Sequence, residues 1–192
     1  MAVSDVSIAN RALMLLAAER IVSLTQDHVN ARHVNACYEI VRDAELEAHP
    51  WSFAIKHATL AASATVPADE DYSYAFLLPT DCLRVLPPAR EGLDWLFVSH
   101  TDRPAIYTND DDALPIRYIA RITDPTQFSA TFAEALAAKL AETLCEPIAQ
   151  GNEKKKIAGE QYKTAISRAR RSSAFTQISA EPPEDPWLAA RR

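Results

Sequence analysis

A chain of 192 residues, 48% apolar and 24% charged, has the length of one large domain or two small ones and an ordinary globular composition. A net charge of −6 argues against nucleic-acid binding by the whole chain, and the three glycines (Gly92, Gly151 and Gly159) lack the spacing of a GxGxxG or P-loop phosphate cradle. No apolar run approaches the roughly 20 residues that span a bilayer, and the start lacks the basic and apolar regions of a secretory signal, so no membrane partner and synthesis in a cytoplasm are expected.

Ser4 can cap a first helix, and Ile8, Ala12, Leu15 and Leu16 give it one apolar face, so the pattern predicts helix over roughly 5–18. Asp27 can cap a second, in which Val34, Cys37, Val41, Ala44 and Ala48 recur with helical period. His49-Pro50 should stop it, because the residue before proline avoids the α region. The apolar pattern then shortens, and strands are predicted at 53–60, 72–78, 82–86, 94–98, 105–108 and 116–122. In the last, Ile116, Tyr118, Ala120 and Ile122 alternate with Arg117 and Arg121. Pro79-Thr80-Asp81, Glu91-Gly92 and the run after Asn109 supply turn chemistry, with Asp81 expected to bond its own turn.

Helix resumes at Thr131, with Glu134 completing a capping box and Phe132, Leu136, Leu140 and Leu144 on one side. Pro147 should end or kink it. Gln150-Gly151-Asn152 reads as a C-cap followed by an N-cap, opening a fourth helix over 153–171 that buries Ala158, Tyr162, Ala165 and Ala169. From Ser172 the chain is expected to extend toward Trp187-Leu188. The expected fold is α+β: a four-helix bundle (1–50 and 128–171) with an antiparallel β unit (51–127) inserted between helices two and three, and an extended C-terminal arm (172–192).

Chemistry is sparse in this pattern. His33 and Cys37 are spaced to touch on one helix face, but Cys37 falls on the apolar stripe and reads as a small hydrophobe. His28 and His33 are misplaced for a shared metal. GxSxG and HExxH are absent, and Cys37, Cys82 and Cys145 form neither a disulfide framework nor a zinc pair. The acidic runs 69–71 and 110–112 lack the EF-hand layout and read as solvated loop tips. No catalytic residue, cofactor or metal site is expected.

The one charge anomaly is helix four. Lys154, Lys155, Lys156, Lys163, Arg168, Arg170 and Arg171 face only Glu153 and Glu160, a net +5 that leaves −11 elsewhere. The face is either a solvated surface, a patch for an acidic neighbour, or a DNA contact. Trp187 and Leu188 are large apolar residues in a Pro-rich segment, of the kind that anchors an interface with a neighbouring protein.

Several segments also carry a resemblance. They are Asn10-Arg11-Ala12-Leu13, His49-Pro50-Trp51-Ser52-Phe53-Ala54, the block from Tyr72-Ser73-Tyr74-Ala75-Phe76 through Pro79-Thr80-Asp81-Cys82-Leu83-Arg84-Val85, then Tyr118, Phe128, Phe132 to Leu136, and Leu140-Ala141. In order and spacing the chain resembles, over about 4–170, the tail tubular protein A family of tailed bacteriophages, the head-to-tail adaptors. The resemblance implies a non-enzymatic virion subunit in a twelvefold ring of copies between portal protein and tail nozzle or tube protein. Double-stranded DNA would pass through its channel without specific binding. One departure is that the usual Leu-Gly after the first helix reads Leu16-Ala17-Ala18, which is expected to lengthen that helix. The alternatives are a DNA-binding packaging accessory and a virion-associated hydrolase.

Overall fold

Ser4 and Ser7 close a reciprocal capping box, each hydroxyl accepting the other's backbone N–H, and so open α1 (Asp5–Leu15). The computed structural model describes residues 3–65, 67, 69–87, 94–149 and 151–176. Helix α1 ends three residues before the expected boundary. Ala17 turns left-handed (φ 56°), Ala18 N–H returns to the Leu13 carbonyl at 2.9 Å and Ala17 N–H to that of Met14 at 3.1 Å. This double return bond is the usual glycine terminator, built here on alanine. The Ala-for-Gly departure leaves the helix no longer; it leaves a residue in strain.

The loop that follows is clamped by Asn10, whose side-chain amide exchanges two 2.8 Å bonds with the backbone of Ile21. Helix α2 (Val29–Glu47) starts at His28 rather than Asp27, with the His28 Nδ1 accepting the Asn30 N–H. It stops before His49-Pro50 as expected. Its inward face is turned from the expected stripe: Ala31, Val34, Tyr38, Val41, Arg42, Glu45 and Leu46 are buried, while Ala44 and Ala48 are exposed and Cys37 only half-buried. The rotation holds because the polar residues it brings inward find partners. Tyr38 donates to Asp5 at 2.6 Å, and Arg42 pairs with Asp43 at 2.8 Å.

Six strands follow: β1 (Ile55–Leu60), β2 (Tyr74–Leu77), β3 (Cys82–Leu86), β4 (Trp95–His100), β5 (Arg103–Thr108) and β6 (Leu114–Ala120). Among the described residues they form two three-stranded antiparallel sheets, ordered β1-β6-β3 and β2-β5-β4. Strand β6 is central to the first, with Ile55 opposite Ile119 on one side and Cys82 opposite Ala120 on the other. Its alternation is as read from sequence: Ile116 and Tyr118 are buried, Arg117 exposed. Strands β4 and β5 join through Thr101-Asp102, both at positive φ (46° and 63°), the two-residue turn whose twist suits a hairpin.

A short 3₁₀ turn (Pro125–Gln127) leads to α3 (Ala130–Leu144), which Ser129 caps by accepting the Phe132 N–H. The expected box at Thr131 does not form. Ser129, two residues earlier, takes the cap, and Glu134 points instead to Arg11. Pro147 kinks the end of α3 into a π-helical turn (Cys145–Ala149). Gly151 then serves as N-cap of α4 (Asn152–Phe175) with φ −130°, not as a left-handed C-cap. Gly159 lies close to α3: a Cβ there would sit 3.2 Å from Glu142 Oε1. Helix α4 runs four residues past the expected boundary at 171, so the start of the expected arm is helical. Trp187 and Leu188 lie outside the described residues.

Among the described residues the protein is mixed α+β, with four α-helices and two small antiparallel sheets. Helix α3 packs against α1, α2 and α4, and α2 also against β3 and β6. The main core joins all four helices, the β1-β6-β3 sheet, and Phe76 and Ile106 from the inner face of β2-β5-β4. At its centre Phe132 meets Trp51, Phe53 and Phe128 edge to face with ring centroids 4.9–5.1 Å apart, and Phe53 and Phe128 lie tilted to each other at 5.8 Å. A second, small cluster of Ala75, Ala105 and Tyr107 covers the other face of the outer sheet. Among the described residues, no helix is long and apolar enough to cross a membrane.

Candidate interaction surfaces

Helix α4 presents its core face at Ala158, Ile166, Ala169 and Ser173, with Tyr162 and Ala165 half-buried. All seven basic residues singled out in the sequence are exposed. They do not make one patch. Lys154, Lys155 and Lys156 sit in the opening turns, where the helix dipole disfavours cations. Lys155 offsets this with a 2.8 Å bond to Glu146. Lys163, Arg168 and Arg171 gather some 20 Å further along, at 1.5 Å per residue, around a shallow depression with Thr164 and Ser167. Arg170 faces a third direction, toward His49 and Tyr162.

That third direction holds a cluster that sequence reading missed. Tyr162 donates to Glu45 Oε1 at 2.8 Å, and the Trp51 indole N–H donates to the Glu45 carbonyl at 2.8 Å. Glu45 Oε2 and His49 Nε2 are buried without a hydrogen-bond partner among the described residues. Burial, then the charges of Arg170 and Arg84, pulls the His49 imidazole below its ordinary pKa. Burial and the bond to Glu45 push the Tyr162 phenol up. The available signal was the position of Glu45, one helical turn after Val41 on the buried face.

Two further ion clusters brace the inner sheet, one to α2 and one across its own strands. Asp43 accepts from Arg42 and from Arg121, each at 2.8 Å. Thus Arg121, read as an outward strand residue, is a strap from the end of β6 to α2. Asp81 accepts from Lys56 on β1 at 2.8 Å and from the Tyr118 hydroxyl on β6 at 3.1 Å. Partial burial opposes ionisation of Asp81, yet the bonds from Lys56 and Tyr118 win and hold its carboxyl below the usual value. Burial and the Asp81 charge push Tyr118 up to about 12.

The residues weighed for chemistry are placed for structure. The Cys37 thiol lies 3.5 Å from the Val34 carbonyl, and burial raises its pKa, which works against thiolate formation. His28 caps α2, its Nε2 3.5 Å from Glu19. Asp110, Asp111 and Asp112 bring carboxylates within 4.8 Å of one another on an open loop, where Asp110 Oδ1 accepts the Asp112 N–H. A third surface lies on the outer sheet. Leu96 and Phe97 are exposed on β4, which is an edge strand among the described residues.

Compared with models of known protein families and with characterised protein sequences, the chain matches none.

Proposed function

We propose that the chain is a non-enzymatic structural subunit of a bacteriophage head-to-tail adaptor ring, made in the host cytoplasm and carried in the virion. In this reading copies of the chain contact one another, the portal protein and the tail nozzle or tube protein, and double-stranded DNA passes through the ring. The helices act as one four-helix bundle around α3, with the β segment as an insertion between the second and third.

The observation that carries the reading is where the resembling segments fall. Trp51, Phe53 and Phe132 build the central aromatic cluster. Asn10 clamps the loop after α1, and Arg11 binds Glu134 on α3. The long block crosses from β2 of the outer sheet, through the Pro79–Cys82 turn, to β3 of the inner one. A likeness concentrated on fold-determining positions points to shared architecture, and architecture is what an adaptor supplies. Three lysines held against a helix dipole are a second support: they cost stability, which suits a contact surface better than a stabilising one.

Light scattering of the subunit, its cognate portal and their mixture tests the proposal. A mass increase on mixing is expected, and no increase would refute it. Reversing Lys154, Lys155 and Lys156 to glutamate should leave the melting temperature little changed, because the better dipole placement of acids at the start of α4 is set against the lost Lys155–Glu146 pair and both effects are small at the surface. It should weaken docking, most of all at low salt. The exposed Lys163, Arg168 and Arg171 cluster favours DNA binding as the second reading. A gel shift that weakens steeply with salt would support it over the adaptor.

A further inference from the structure

Between α1, α3 and α4 runs a groove of about 630 Å³. Leu15, Ala130, Ala138, Ile157 and Ala165 supply its apolar lining, and Ile157 is half exposed. Arg11 and Glu134, paired at 2.6 Å, are also part of the wall. Thr164 and Arg168 belong both to this groove and to the shallower depression that Lys163, Ser167 and Arg171 complete. The two make one track along α4, basic toward the C-terminal end and, toward Ile157, an apolar floor edged by Glu160 and Gln161. Among the described residues Lys163, Arg168 and Arg171 make no ion pair.

An occupant of this track must offer acids at one end and large apolar side chains at the other. Residues 181–188 read Glu-Pro-Pro-Glu-Asp-Pro-Trp-Leu, with three acids followed directly by a Trp-Leu pair. The direction also fits. A chain doubling back after Thr176 meets Arg171 and Arg168 first and Ala165 and Ile157 later. Length is sufficient: eleven residues from 177 to 187 reach up to about 36 Å when extended. The way back from Thr176 to Gln161 along the helix is about 22 Å. Pro182, Pro183 and Pro186 already restrict the backbone, so less entropy is lost on docking.

We propose that in the free chain residues 181–188 fold back into this groove of the same molecule. Glu181, Glu184 and Asp185 lie against Lys163, Arg168 and Arg171, and Trp187 and Leu188 fill the apolar end beside Ala165 and Ile157. The occupant is the chain's own segment rather than a second copy's, because a short tether holds it at a local concentration that a free partner does not match. The proposal is independent of the adaptor reading and stands or falls without it.

Acrylamide quenching of tryptophan fluorescence on the full chain tests it, with the Trp187 contribution isolated by subtracting a Trp187→Phe spectrum. Trp187 should be quenched several-fold less than in a synthetic peptide of residues 177–192, and this protection should persist on dilution. Ile157→Glu should bring quenching to the peptide's value, and so should Arg168→Glu combined with Arg171→Glu. Circular dichroism should stay that of the parent, since all three side chains are exposed. Quenching in the parent equal to the peptide's overturns the proposal. Protection lost on dilution assigns the groove to a second copy's segment and overturns it as well. Protection that survives both variants places Trp187 elsewhere, with the same consequence.

Discussion

The two sheets are of equal strand number yet differ in what holds them. The β1-β6-β3 sheet lies on the main core, and its ends are strapped by Asp43–Arg121 and Asp81–Lys56. The β2-β5-β4 sheet gives Phe76 and Ile106 to that core but leaves Phe97, on the same face, in solvent, and its other face rests on Ala75, Ala105 and Tyr107 with Leu96 exposed. Apolar burial sets how much free energy opposes local opening, so the outer sheet should open first and the inner one only with the whole chain. A surface that can rearrange without unfolding the core is suited to contact.

The strongest way to test the contrast is at the aromatic centre. Trp51→Ala removes a fully buried side chain, its ring contacts and its bond to the Glu45 carbonyl. It should cost about 3–5 kcal/mol, seen as a lower urea midpoint for all probes together. Tyr107→Phe deletes the 2.8 Å bond to His100 and leaves that buried imidazole with both nitrogens unsatisfied. We expect about 1–2 kcal/mol, with amide exchange accelerated in β2, β4 and β5 but not in α3. Uniform acceleration across the molecule would erase the distinction between the sheets.

Smaller effects sharpen it. Ala17→Gly relieves the left-handed strain at the end of α1 and should raise stability by about 1 kcal/mol, net of the glycine's extra unfolded entropy. Because α1 belongs to the main core, that gain should register in global unfolding. Asp81 reports on the inner sheet through pH. Its folded pKa lies below the ordinary value of 3.8, so its contribution is complete above that value and is lost as pH falls through the lower, folded one. Acid should therefore lower the parent's urea midpoint more than that of Asp81→Asn. Equal acid sensitivity would remove Asp81 from the straps.

What was legible in the sequence was local. The stop at His49-Pro50, the alternation of β6 and the kink at Pro147 each follow from a few adjacent residues, and each is present. What was not legible depended on distant partners. The face of α2 turns because Tyr38 reaches Asp5 and Glu45 meets Tyr162, pairs separated by 33 and 117 residues. Spacing from Val41 puts Glu45 near that face, but no local pattern marks its carboxylate for burial before Tyr162 is in place. Among the surfaces, the basic residues of α4 were found as a composition but not as an arrangement. Helical geometry disperses Lys154–Lys156, Lys163–Arg171 and Arg170, and a count of charge does not carry direction.

The Thr101-Asp102 turn bears on time as well as shape. Strands β4 and β5 meet across two residues, whereas Leu60 must find Leu114 and Ile55 must find Ile119 before the inner sheet exists. A hairpin of this kind closes in about 1–10 μs, while pairings over such long stretches wait on a larger loss of chain entropy. The sheet that contributes least to final stability is thus the one that can assemble earliest. Its hairpin offers a preformed edge on which β2 can pair, well before the first and last strands of the β segment meet.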